Sequence, residues 1–269
     1  MPRLLSYLFC FATLTAMAGL TAQNATAAET DPDGKLYAAS ADALGDVEQA
    51  LGRARDNDRL ALVVVGGDWC HDSRALAARL HRSPLSEVIE QDYELVFVDV
   101  GYLDKARDVL QHYGVSHFYA TPTVLILDPA TGAVINNEDR HLWRNAYNVD
   151  MPTSVDYFEK WAAYEATAET VPVSPQLQAL NAKIDAFELE LADRVAAGYA
   201  VVGPMLAAYK EDKAPENFDS SWDELAGLRM AIPGAIQELR AEAERRVAAG
   251  EENIELDYPE FAPLSWEAE

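Results

Sequence analysis

Cysteine is nearly absent from this 269-residue chain: there are two, and Cys10 sits in an N-terminal apolar run. Basic residues are also scarce, 21 Lys and Arg against 45 Asp and Glu, for a net charge of −24. Nucleic acid is bound by releasing phosphate counterions to Lys and Arg, so so acidic a chain argues against that ligand, and anionic lipid headgroups would repel it. No G-x-S-x-G elbow follows any strand-like segment, which removes the serine-hydrolase arrangement. Wholesale disorder is excluded as well, since 49% of residues are apolar and only 25% charged. The length suffices for one large domain or for two.

The N-terminus reads as a leader. Arg3 precedes the apolar run Leu4 to Leu20, which ends in the small residues Ala25-Thr26-Ala27-Ala28. This pattern predicts a signal peptide over residues 1–28, cut after Ala27 or Ala28, and a periplasmic or secreted mature protein. An uncleaved anchor is the alternative, but Thr13, Thr15 and Gly19 interrupt the run, which is marginal for the ~20 residues of a membrane span. Cys10 follows Leu8-Phe9, unlike a lipidation site, and leaves with the leader. The mature chain then carries 20 basic residues against 45 acidic, a net charge of −25, and no stable membrane binding is expected of it. Its single cysteine is Cys70, which excludes an internal disulfide. A leftover thiol in an oxidising compartment points to intermolecular pairing or to deliberate reactivity.

Periodicity orders the rest. Leu44, Val47, Leu51 and Ala54 have helical spacing and precede the apolar run Leu60 to Val65, which reads as a strand buried on both faces. Gly66-Gly67 breaks it, and a helix over Ser73 to Arg82 follows. Next come a strand over Leu95 to Val100, a helix near Asp104 to Tyr113, and a strand over Thr123 to Leu127. The turn Asp128-Pro129-Ala130-Thr131-Gly132 predicts a hairpin onto Ala133-Val134-Ile135, and a further helix spans Val155 to Tyr164. Alternating strands and helices predict an α/β sheet closed by that antiparallel hairpin. After Pro172 no strand pattern remains. Leu177, Leu180, Ile184, Phe187, Leu191 and Val195 form one apolar stripe, and Leu225, Leu228, Ile232, Ile236, Leu239 and Val247 form a second, which Pro233-Gly234 should break or kink. Gly203-Pro204 and Lys210 to Ser221 supply the turn region of a helical hairpin that packs on the first domain.

The segment Gly67-Asp68-Trp69-Cys70-His71-Asp72-Ser73-Arg74 lies where a buried strand hands over to a helix. Free N–H groups and the positive end of the helix dipole at such a junction favour the thiolate, which is the nucleophile. His71 adds positive charge and Asp72 opposes it. Polar neighbours on both sides predict that Cys70 is not buried.

Strand, Trp69-Cys70-x-x-Ser73, helix, and then Thr121-Pro122 before a strand resemble the thioredoxin superfamily, over roughly Leu36 to Tyr164. The run Asp-Trp-Cys-His-Asp-Ser-Arg is also similar to exported bacterial thioredoxin-like proteins whose second motif cysteine is serine. The resemblance implies a thioredoxin-like domain over residues 29–167, with the helical extension over 168–269 outside it. It implies a cis proline at Pro122 packed on Cys70, with Trp69, Thr121 and Pro122 binding substrate and Cys70, His71 and Ser73 carrying the chemistry. Two departures stand out. Ser73 has a hydroxyl where a second thiol would resolve a mixed disulfide, and Val64 replaces the buried carboxylate found six residues before the nucleophile in small thioredoxins.

Cys70, His71 and Asp72 also raise the alternative of a metal, with His117 as a further ligand, but adjacent helical residues point apart and leave the coordination half filled. The reading is therefore no metal and no cofactor, with an external thiol such as glutathione as co-substrate. His81, His112 and His141 read as surface or capping residues. Two functions follow: a monothiol reductase or isomerase working on protein or small-molecule thiols and disulfides, or a non-catalytic chaperone or adaptor on the same fold. A homodimer through the C-terminal helices is one further expectation.

Overall fold

The structure is a computed structural model and describes residues 35–164 and 173–267. The leader read over residues 1–28 and the domain boundary read at 167/168 both lie outside the described residues. Three strands, β1 (Leu60–Gly66), β2 (Tyr93–Asp99) and β3 (Thr123–Leu127), form one sheet in the order β2-β1-β3. β1 runs parallel to β2 and antiparallel to β3. Helices α1 (Ala43–Asp56), α2 (His71–Leu80), α3 (Leu85–Asp92), α4 (Arg107–His112) and α5 (Met151–Ala162) surround it, with a 3-10 helix at Leu142–Asn148.

The apolar run of β1 is central because it is covered twice. Successive strand side chains point to opposite faces. Ala61, Val63 and Val65 therefore join α1 and α4 in one cluster, while Leu62 and Val64 join Leu76, Leu80, Leu85 and Phe158 in the other. Local chemistry starts the helices. The Asp42 carboxylate accepts the Gly45 N–H at 2.9 Å, and the Asp150 carboxylate accepts the Thr153 N–H at 2.9 Å.

The closing hairpin is reduced to its turn and one bridge. Asp128 donates its N–H to the Ala133 carbonyl at 2.9 Å, and Leu127 bridges Val134, but no strand continues beyond. Asn136, fully buried, takes over instead: its Oδ1 accepts the Ile126 N–H at 2.8 Å and its Nδ2 donates to the Val124 carbonyl at 2.9 Å. A side-chain amide thus satisfies the outer edge of β3, and β3 finds its antiparallel partner in β1. The region before α4 also departs from expectation. Leu103 and Ala106 adopt left-handed backbone (φ 73° and 69°), which delays the helix to Arg107. α3 and the 3-10 helix occupy segments where sequence periodicity had indicated no element.

The C-terminal part is a helical hairpin, α6 (Pro175–Lys210) and α7 (Phe218–Ala248). Ser174 caps α6 by accepting the Leu177 N–H at 3.2 Å. Neither internal proline breaks its helix. Pro233 was expected to interrupt α7, and Gly203-Pro204 to lie in the turn, yet both sit inside continuous helices. An interior proline costs ~3 kcal/mol. Burial of Leu228, Ile232, Ile236 and Leu239 on one stripe offsets it in α7, since each buried aliphatic side chain contributes ~1.5–3 kcal/mol. The stripes of both helices belong to the same apolar cluster as Val63, Val65, Phe118 and Tyr119, so the hairpin covers one face of the α/β layer. Polar ties reinforce this docking: buried Glu188 of α6 lies 3.7 Å from Arg140 and 3.4 Å from Arg240 of α7, and Arg107 pairs with Asp193.

Candidate functional site

Strand register brings the two motifs together. Val65 pairs with Thr123 across the antiparallel β1–β3 ladder, so the residues just beyond each, Gly66-Gly67 and Pro122-Thr121, leave the sheet side by side. The glycines allow a tight handover: a Cβ on Gly66 would lie 2.6 Å from the Ser73 hydroxyl, and one on Gly67 would lie 2.7 Å from the Trp69 indole nitrogen. Cys70 is the N-cap residue of α2, in extended backbone, and its carbonyl accepts the Arg74 N–H at 3.1 Å. Its Sγ donates to the Thr121 carbonyl at 3.3 Å, and the Thr121–Pro122 bond is cis.

Cys70 is only 8% exposed, which corrects the expectation from its polar neighbours. Those neighbours divide: Arg74 and His71 turn outward, whereas Asp72 and Ser73 turn inward and are buried. The Thr121 segment covers the sulfur from the other side. Ser73 is fully buried, its hydroxyl 3.4 Å from the Gly67 N–H and its carbonyl accepting from the Tyr37 hydroxyl at 3.2 Å. Burial drives the Tyr37 phenol far above the usual tyrosine range, so it stays a hydrogen-bond donor. Val64 is likewise fully buried, within an apolar cluster of aliphatic and aromatic side chains.

The flanking residues take different partners. His71 is exposed and sets its Nε2 3.0 Å from Asp72 Oδ2, while the other Asp72 oxygen accepts the Tyr147 N–H at 2.9 Å. The His71 ring lies edge-on to Tyr147, 5.8 Å between centroids. The structure therefore pairs His71 with Asp72 and the 3-10 helix rather than with the sulfur. Trp69, on the opposite flank, donates its indole N–H to the Gly101 carbonyl at 2.7 Å and meets Trp222 of α7 edge-on at 6.3 Å.

His117 points elsewhere. It is buried, its Nδ1 accepts the Phe118 N–H at 2.9 Å, and its ring lies 5.1 Å from Tyr199. Burial and then Arg107 push it down to about 4, against an opposing Asp193. Among the described residues, no three His, Cys, Asp or Glu side chains gather as a metal-binding group. His141 is half-buried rather than a surface residue: burial, Arg140 and Arg144 push it down to about 3.

Sequence reasoning passed over Tyr37, Tyr147, Tyr199, Trp222 and Arg229. Trp222 and Arg229 are seven residues apart, which is one face of a helix, but the apolar stripe read from Leu225 onward carries no signal that this face meets Trp69. Arg229 lies with its guanidinium 5.1 Å from the Trp222 ring and donates to the Tyr119 carbonyl at 3.3 Å, two residues before Thr121.

Part of the chain is similar to known proteins. Residues 42–129, from the N-cap of α1 to just past β3, match a family model described as thioredoxin-like. Among solved structures, a disulphide isomerase from Xylella fastidiosa Temecula1 is 28% identical, covering 47% of this chain and 95% of that one, with a TM-score of 0.44. No curated protein matches. Residues 42–129 hold Cys70, Ser73, Thr121 and Pro122, and the fold is thioredoxin-like, with α6 and α7 added.

Proposed function

We propose that this chain performs thiol–disulfide exchange with Cys70 as its single reacting thiol, acting as a monothiol reductase or isomerase outside the cytoplasm after loss of residues 1–28. One observation carries the reading: in a thioredoxin-like domain, the Cys70 sulfur sits at the N-cap of α2, 3.3 Å from the carbonyl beside cis-Pro122, with serine at the resolving position. The Cys70 thiolate attacks one sulfur of a disulfide R–S–S–R′. The old S–S bond breaks, R′S⁻ leaves and takes up a proton, and Cys70 is held in a mixed disulfide with R. The Ser73 hydroxyl cannot attack that bond, so an external thiol such as glutathione, or another thiol of the same client, displaces Cys70 and restores it. Trp69, Thr121 and Pro122 line the approach, with the Thr121 backbone available to an extended client segment. His71, held by Asp72, stays at the rim.

The test is incubation of the mature chain with oxidised glutathione and intact-mass analysis. One glutathione adduct is expected, absent from Cys70→Ser and removed by excess reduced thiol. A wild-type protein that takes no adduct while folded would overturn the exchange reading. The burial of Cys70 favours a second reading, a chaperone or adaptor that holds clients along the Thr121-Pro122 segment without turnover; binding of an unfolded client that survives Cys70→Ser would support it.

A further inference from the structure

Helix α7 is tied to both segments that hold the reacting sulfur. On the segment entering Cys70, the Trp69 indole donates to the Gly101 carbonyl and packs perpendicular to the Trp222 ring. On the segment entering Thr121, Arg229 binds the Tyr119 carbonyl, and Tyr199 of α6 donates to the Phe118 carbonyl at 3.0 Å. Trp222 itself is braced on two sides, by the Arg229 guanidinium at 5.1 Å and by the Phe218 ring at 5.9 Å. Such aromatic and cation–π contacts favour one orientation of the indole. Trp69 and Trp222 therefore form a fixed wall. On the residue after Cys70, the His71 ring lies edge-on to Tyr147, whose backbone is anchored by Asp72. Cys70 itself retains 8% of its surface.

We propose that the C-terminal hairpin is a specificity element of this thiol site. The Trp69–Trp222 wall, braced by Arg229, holds the opening over Cys70 to the width of one extended segment. The thiol then takes disulfides of small molecules and flexible polypeptide chains and turns away disulfides set in a folded surface. This rests on the exchange reading for its chemistry, but the wall itself is a matter of access and is measured separately.

The experiment uses the full mature chain and compares alkylation of Cys70 by iodoacetamide with alkylation by a maleimide carrying a bulky polymer. Trp222→Ala should raise the bulky-to-small rate ratio at least fivefold, Trp222→Leu less, and Arg229→Met, which leaves the indole unbraced, by an intermediate factor. Met230→Ala, exposed on the same helix, should leave the ratio at its wild-type value. Trp222→Leu guards against a Trp222→Ala chain that fails to fold. Folded Trp222 variants with a wild-type ratio, or with both rates raised equally, would overturn the proposal. Oxidised glutathione in parallel separates the two claims: a wild-type chain forming no adduct rejects exchange, while the alkylation ratio still decides the wall.

Discussion

Lowering the pH from about 7.5 to about 5 should cost the protein ~2 kcal/mol through His117 alone. The side chain is 2% exposed and faces Phe118 and Tyr199, and burial, assisted by Arg107 and opposed by Asp193, moves it from 6.5 down to about 4. The unfolded chain takes up a proton near 6.5, whereas the folded chain resists until about 4. Between those values the unfolded state binds more protons, so stability rises with pH there. The contribution is fully present above 6.5, is lost as the pH falls through this window, and declines no further below 4. A gap of this size is worth ~3 kcal/mol in all, of which ~2 kcal/mol is gone by pH 5. His117→Asn isolates the effect: Oδ1 of asparagine occupies the place of Nδ1 and can still accept the Phe118 N–H, but it does not titrate. Urea denaturation of both proteins at the two pH values, compared as a difference of differences, cancels the carboxylates and His141, which both chains share. If His117→Asn loses as much stability as wild type on acidification, the buried neutral imidazole is not the cause and the argument fails.

Three further outcomes are expected. Ser73→Cys places a thiol one turn along α2 from Cys70 and should resolve the glutathione adduct into an internal disulfide, read by intact mass, with a modest gain in insulin reduction because Val64 supplies no proton relay; no gain in an intact fold would count against the assigned geometry. Asn136→Ala leaves the buried Ile126 N–H and Val124 carbonyl without their partner and should cost ~2–4 kcal/mol in urea denaturation, whereas a loss under ~1 kcal/mol would show that this amide is not the substitute for a strand. Gly203→Ala presses a methyl onto the backbone carbonyl of Tyr102 and should lower Tm by roughly 4–8 °C for a ~2 kcal/mol strain, more than Gly198→Ala, whose new methyl meets only the movable Leu225 side chain; the reverse order would contradict the close docking of α6 on that loop.

The three sheet strands, most of the helices and the motifs were legible in the sequence because they depend on local rules, whereas α3 and the 3-10 helix were not. A six-residue apolar run ending in Gly66-Gly67 has few alternatives to a buried strand, a stripe at steps of three and four has few alternatives to a helix, and Trp69-Cys70-x-x-Ser73 with a later Thr121-Pro122 is a chemical pattern carried by residue types alone. Tertiary structure decided what each local choice met. The polarity around Cys70 argued for exposure, but α2 turns Asp72 and Ser73 inward while the β1–β3 register lays Thr121 across the sulfur, and no local rule contains that register. Asn136 replaces a strand only because it lies one residue past Ile135 at the rim of β3. Pro233 is tolerated in α7 because a stripe of buried aliphatic side chains outweighs one missing hydrogen bond, a comparison between a local cost and a distant gain. Trp222 and Arg229 reach the thiol site for the same reason: they lie more than 150 residues along the chain from Trp69, and only the shared core that docks the helical hairpin on the sheet brings them together.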